Sequence, residues 1–235
     1  MKSVLTALLL SISLIFSSGM TSSAQDFEKG LRAAQSGDFA TALREWMPLA
    51  ERGSPSAQFN IAAMYLRGEG FAQDYEQAAK WMRKAAEQGD ADAQQNLGHM
   101  YALGDGMAQD YKEAFNWYRK AAEQGFANAQ YNLALMYEDG KGVTQHYKEA
   151  FNWYRKAAEQ GNADAQYNLA LMYEDGKGVV QDNAYAHMWW NIAAANGDES
   201  AARARNTIAK EMTSSQIAEA QKLARECVAK EYKGC

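Results

Sequence analysis

Residues 129–161 read AQYNLALMYEDGKGVTQHYKEAFNWYRKAAEQG. Ala129–Val143 recurs letter for letter at Ala165–Val179, and Tyr111–Gly125 recurs letter for letter at Tyr147–Gly161. The offset is 36 residues in both cases. A fixed period of that size marks a stacked repeat, in which each unit is too small to bury its own apolar face. Within one period Ala129, Leu133, Met136 and Tyr137 fall at i, i+4, i+7 and i+8. Ala150, Trp153, Tyr154, Ala157 and Ala158 form a second such stripe. Both periods are helical and neither alternates as a strand would. The spacing predicts two helices per unit, about 129–139 and about 147–160.

The period extends outward from this core. Ala57, Ala93, Ala129, Ala165 and Ala201 form one column, and Gly53, Gly89, Gly125, Gly161 and Gly197 another. Tyr65, Tyr101, Tyr137 and Tyr173 form a third, and Trp81, Trp117, Trp153 and Trp189 a fourth. Gly140 and Gly142 follow the first helix, and Gly161 follows the second, where a left-handed residue closes a helix without a Cβ penalty. Small residues, Ala134, Ala150 and Ala157, stand where helices must approach closely.

The pattern A-x-A-Q-x-N-L-A/G-x-M-Y-x-x-G-x-G, followed by Y-x-x-A-x-x-W-x-x-K-A-A-x-x-G, resembles the Sel-1-like repeat, a hairpin of the tetratricopeptide type. Four units match, at 55–90, 91–126, 127–162 and 163–198. The resemblance implies an all-α solenoid, a right-handed superhelix of helix-turn-helix pairs, and a role as a scaffold for protein complexes. It does not name the partner.

Residues 1–24 read as a signal peptide. Lys2 supplies a charged start, Val4–Phe16 an apolar run too short to span a bilayer, and Ser22 and Ala24 the small residues of a cleavage site. No cysteine follows the apolar run, which argues against a lipid anchor; retention as an uncleaved anchor is the alternative. Loss of Lys2 takes the net charge from −5 to −6. The expected location is periplasmic or secreted, with no transmembrane segment in the mature chain.

Residues 25–54 read as a degenerate hairpin, with Phe27, Leu31 and Ala34 on one helix and Ala42, Trp46 and Leu49 on the next. It lacks the Gly-x-Gly loop, as a terminal unit facing water can. Ser54 and Pro55 have the signature of an N-cap and first helical residue. Residues 199–235 read as C-terminal capping helices. One continues from Gly197 to Met212, and the last starts at a Thr213…Gln216 capping box and carries Ile217, Ala220, Leu223, Ala224 and Cys227 on its apolar side. Cys227 and Cys235 are the two cysteines. In an oxidising compartment an intrachain disulfide is expected; two free thiols or a bridge between chains are the alternatives.

Catalytic signals are missing from the sequence. The Gly-x-Gly pairs follow helices and precede no Gly-Lys-Ser/Thr, so they read as turns rather than phosphate loops. Glu138-Asp139 and Glu174-Asp175 are adjacent on a helix and do not face one another; Lys141 and Lys177 stand two residues on to offset their charge. His99, His146 and His187 have no second ligand at i+3 or i+4, so no metal site is expected. No Ser-x-x-Lys is present. Some relatives are linked to β-lactams, but they carry a cysteine pair in each repeat and this chain does not. The acidic balance disfavours nucleic acid. No cofactor and no enzyme activity are expected, and the expected state is a monomer.

The Asn60, Asn96, Asn132 and Asn168 column is notable because Asn is a poor mid-helix residue. Packing between hairpins or contact with a ligand would each explain it. The resemblance places the first helix of each unit on the concave face of the superhelix. Three columns then line a groove: Phe59/Gln95/Tyr131/Tyr167, Ala63/His99/Leu135/Leu171 and Leu66/Ala102/Glu138/Glu174. Aromatic and aliphatic groups rimmed by acids suit a peptide. The expected function is a non-enzymatic adaptor of the cell envelope. The alternatives are a cell-wall or β-lactam-related hydrolase or binding protein, and a periplasmic regulator of a membrane sensor or motility component.

Overall fold

A computed structural model describes residues 23–235. Residues 1–22 of the signal peptide expected over 1–24 lie outside the described residues, and Ser23 and Ala24 open the first described helix. The described chain falls into two compact units divided between Ala108 and Gln109.

The first unit holds α1 (residues 23–35), α2 (Phe39–Glu51), α3 (Pro55–Arg67), α4 (Tyr75–Glu87) and α5 (Ala91–Leu103). The second holds α6 (Tyr111–Glu123), α7 (Ala127–Asp139), α8 (Tyr147–Ala158), α9 (Ala163–Asp175), α10 (Asn183–Ala195), α11 (Glu199–Ile208), a 3-10 turn at Ala209–Glu211 and α12 (Ser214–Ala229). The described residues contain no strand. Within each unit consecutive helices pack on one another from α2 to α5 and from α6 to α11. The predicted second helix ends two residues early, at Ala158, and the predicted helix up to Met212 breaks into α11 and the 3-10 turn.

Local chemistry sets these boundaries. The Ser54 hydroxyl accepts from Ala57 N–H with Pro55 at the first helical position, and Thr213 and Gln216 form a reciprocal capping box. Asp74, Asp110 and Asp182 cap α4, α6 and α10; at the equivalent place on α8 His146 Nδ1 accepts from Glu149 N–H. Gly68, Gly104, Gly140 and Gly176 close α3, α5, α7 and α9 in the left-handed conformation. The second glycine of a pair has a further constraint. A Cβ on Gly142, at φ +70°, would fall on the carbonyl oxygen of Tyr111, the first residue of α6. The loop of one repeat is thus seated on the start of the preceding repeat's second helix.

The core is built from the small and branched residues of the two stripes. Ala129, Leu133, Ala134, Ala150, Tyr154, Ala157, Ala165 and Leu169 are all fully buried. Removing a side chain the size of Leu133 from water contributes roughly 1.5–3 kcal/mol. Polar ties run through this core. Gln130 Nε2 donates to the Ala122 carbonyl at 3.1 Å, at the end of α6, while its Oε1 accepts from Gln160 Nε2 at 2.7 Å. Gln58 makes the equivalent pair with Ala50 and Gln88, and Gln166 with Ala158 and Asn196. Each buried glutamine therefore anchors the last turn of one helix to the end of the helix one repeat on.

The tryptophan column is less uniformly core than its spacing predicts. Trp117 and Trp189 are buried, but Trp81 and Trp153 are only partly so. Lys84, Lys120 and Lys156 each set an ammonium 3.8 Å from the ring of Trp81, Trp117 and Trp153, respectively. The lysine stem covers what the repeat leaves open. The fourth repeat has Ile192 at this place. There α12 packs on α10, and Trp189 and Trp190 are excluded from solvent.

The two ends are locally specialised. In α1 and α2 the Trp46 indole donates to the Phe27 carbonyl at 3.1 Å, and a Cβ on Gly30 would collide with that indole. At the other end Ala220, Ala224 and Cys227 of α12 are buried, with Ile217 and Leu223 partly so. Cys227 and Cys235 are paired, their Cα atoms 5.5 Å apart. Tyr232, at φ +65°, turns the tail back so that its amide donates to the Cys227 carbonyl at 2.9 Å.

Candidate functional site

The first helices of the repeats carry the candidate residues. Phe59 on α3 and Gln95 on α5 are partly buried and His99 on α5 is exposed; all three belong to the first unit. Tyr131, Leu135 and Glu138 on α7, and Tyr167, Leu171 and Glu174 on α9, belong to the second unit and are all partly buried. The i, i+4, i+7 spacing keeps each trio on one helical face over two turns, about 10 Å of helix. Among the described residues the second unit therefore offers the most developed candidate surface.

Beneath it lies a hydrogen-bonded chain across three helices. Tyr154 on α8 is fully buried and its hydroxyl donates to Glu138 Oε2 at 2.6 Å. The Tyr154 hydroxyl oxygen in turn accepts from Asn168 Nδ2 on α9 at 3.3 Å. Burial, then the bond to Glu138, drives the Tyr154 pKa far above the ordinary phenol range, so this proton stays in place. The Tyr131 ring lies 5.9 Å from that of Tyr154. Its own hydroxyl is raised by burial and by Asp164 and Glu138, with Asn168 opposing. On α9, Tyr167 packs at 6.3 Å from Trp190. In the second repeat the residue equivalent to Tyr154 is Tyr118, pushed up to about 12 by burial.

The acidic pairs at the ends of α7 and α9 divide their work. Lys141 Nζ holds Asp139 at 2.8 Å and Lys177 Nζ holds Asp175 at 2.8 Å. Glu138 points instead to Tyr154. The asparagine column also divides: Asn96 donates back to Asp92 O in its own helix at 2.8 Å, and Asn168 braces Tyr154. Among the described residues no group of three or more His, Cys, Asp or Glu side chains is arranged to hold a metal ion. No helix among them is long and apolar enough to cross a membrane. The buried glutamine column was present in the motif but not singled out by spacing, because glutamine is an ordinary helix residue. Its signal is recurrence at an otherwise apolar face.

The family model for the Sel1 repeat matches residues 55–90, 91–126, 127–162 and 163–198. The all-helical repeat architecture is similar to that of a protective antigen of uropathogenic Escherichia coli strains displaying an SLR fold. That match has 34% identity and a TM-score of 0.81, covering 92% of this chain and 48% of that one. It is also similar to a Sel1 repeat protein from Oxalobacter formigenes, with 37% identity and a TM-score of 0.71, covering 75% of this chain and 70% of that one. The chain thus spans about half the length of the Escherichia coli antigen. A search of curated proteins gives no match.

Proposed function

The chain belongs to the Sel1 repeat family, a helical scaffold that mediates protein–protein contacts, and from that premise we propose that it is an exported, non-enzymatic adaptor of the cell envelope. Its α7–α9 face binds a segment of a protein partner. One observation carries this reading. Tyr131, Leu135, Tyr167 and Leu171 pack on the outside of the fully buried core stripe and still stay partly exposed. Apolar anchors of this kind, held rigid from below by the Tyr154–Glu138–Asn168 chain, lose little freedom when a partner covers them.

The hydrolase alternative gains nothing from the geometry. Glu138 is engaged by Tyr154 and Asp139 by Lys141, so the adjacent acids do not act as a facing pair. A regulator of a membrane sensor or motility component is a special case of the adaptor. Export rests on the sequence of residues 1–24, and the Cys227–Cys235 pair suits an oxidising compartment.

The test is a crosslinking pull-down from the exported fraction with the chain starting at Gln25, alongside Tyr131→Ala and Tyr167→Ala. A specific protein lost with either variant, at unchanged helicity by circular dichroism, supports the adaptor. A protein captured equally by all three sinks this face as the binding surface.

A further inference from the structure

Residues 129–143 and 165–179 are the same letters in different surroundings. Glu138 and Glu174 occupy the same place on α7 and α9, but the second helix beneath them differs: Tyr154 on α8 is replaced by Trp190 on α10. Glu138 receives the Tyr154 hydroxyl. Trp190 is buried and its indole N–H has no hydrogen-bond partner. Among the described residues the Glu174 carboxylate has neither a hydrogen bond nor an ion pair, since Gln181 reaches only its backbone carbonyl. Burial, then the nearby carboxylates of Asp175 and Glu211, raises the Glu174 pKa above the ordinary carboxylate value, and Asp175 is itself held by Lys177. Glu174 is thus a partly buried carboxylate with no hydrogen-bond or ion-pair partner among the described residues. It shares a helical face with Leu171 and with Tyr167, whose ring packs near Trp190.

We propose that this end of the surface takes an arginine of the partner segment, its guanidinium on Glu174 beside Glu211, while an apolar side chain of the same segment lies on Tyr167 and Leu171. The inference rests on the adaptor reading above and names the partner chemistry for it. A planar fork of donors matches a carboxylate bidentately, which an ammonium does less well. The two turns from Tyr167 to Glu174 span about 10 Å, the reach of three extended residues. The bound segment therefore presents an apolar side chain to Tyr167 and Leu171 and an arginine about three residues away.

The test uses a randomised octapeptide library on beads, selected against the chain from Gln25 and against its Glu174→Gln, Glu211→Gln and Tyr167→Ala variants. The expected result is enrichment of an apolar residue with arginine about three positions away. Glu174→Gln keeps the apolar preference and loses the arginine, and Tyr167→Ala loses the apolar preference. The best peptide, with its arginine changed to citrulline, should bind about tenfold more weakly by fluorescence polarisation. That loss should vanish in Glu174→Gln. Enrichment of apolar residues with no basic preference, or with one that both carboxylate variants retain, overturns the arginine site and leaves the adaptor standing. No enrichment over bare beads overturns both.

Discussion

The Tyr154 hydroxyl on α8 donates to Glu138 on α7 at 2.6 Å while it accepts from Asn168 on α9. One buried oxygen thereby links three successive helices and fixes the carboxylate at the rim of the candidate surface. A carboxylate acceptor makes this bond stronger than a neutral one. The following repeat has lost it, because Trp190 has no hydroxyl to offer.

Tyr154→Phe keeps the packing and removes the donor. We expect a loss of about 1–2 kcal/mol, measured by urea denaturation followed by circular dichroism. An unchanged midpoint would show that the hydroxyl contributes nothing net to the fold.

Gly142 and Gly125 separate two costs that are usually confounded. Both have positive φ, +70° and +95°. A Cβ on Gly125 meets nothing within 4 Å, whereas one on Gly142 lands on the Tyr111 carbonyl. Gly125→Ala should cost about 1 kcal/mol for the left-handed conformation alone. Gly142→Ala should cost upward of about 2 kcal/mol, because the loop must also lift off α6. Equal losses would refute the seating of that loop.

His187 gives the fold a pH dependence. Its ring is buried where the two preceding repeats have Phe115 and Phe151. Burial, then nearby Arg205, holds its pKa below the ordinary 6.5. The folded chain keeps it neutral, while the unfolded chain takes up a proton as pH falls through that ordinary value. The stability it permits is present above 6.5 and is lost as pH falls toward the folded value. Denaturation midpoints of the native chain and of His187→Phe, compared at about pH 7.5 and 5, should diverge on acidification, with the variant the more stable. Parallel behaviour at both pH values would contradict this.

Gln130→Met preserves volume but orphans the buried Ala122 carbonyl, while the exposed Gln160 amide keeps the Lys156 carbonyl and water. A loss of about 1–3 kcal/mol is expected. Gln145, an exposed glutamine, makes a similar bond to the Glu138 carbonyl at 2.7 Å. Water replaces that partner, so Gln145→Met should stay within about 0.5 kcal/mol. Matching losses from the two variants, measured by thermal unfolding, would mean that burial does not distinguish the bonds.

The period alone made the helices, their caps and the glycine turns legible, because each is a local effect repeated several times. Ser54, Gly140 and the Thr213–Gln216 box are read directly from neighbours in sequence. The site was legible only as columns. Spacing placed Tyr131 with Glu138 on one face of α7 and Tyr167 with Glu174 on the same face of α9, but it carried no information on what lies beneath. That Tyr154 and not Asn132 or Lys141 would engage Glu138 depends on packing between α7 and α8. The identical letters of α7 and α9 show the limit most directly, since Glu138 and Glu174 differ only in their neighbours. The partial exposure of Trp153 was hidden for a similar reason, because Lys156 shields it through space.

The change from lysine to Ile192 has a consequence for how such a chain can lengthen. Within the second unit the Gly142 seat on Tyr111 recurs as Gly178 on Tyr147, and the Gln130 tie recurs at Gln166, so successive repeats reuse the same joints. A further repeat stacking on α10 would compete with α12 for the same surface, which holds Trp189, Trp190 and Ile192 out of water. α12 therefore does for α10 what the next repeat does for α8, and takes the place at which a further repeat would stack.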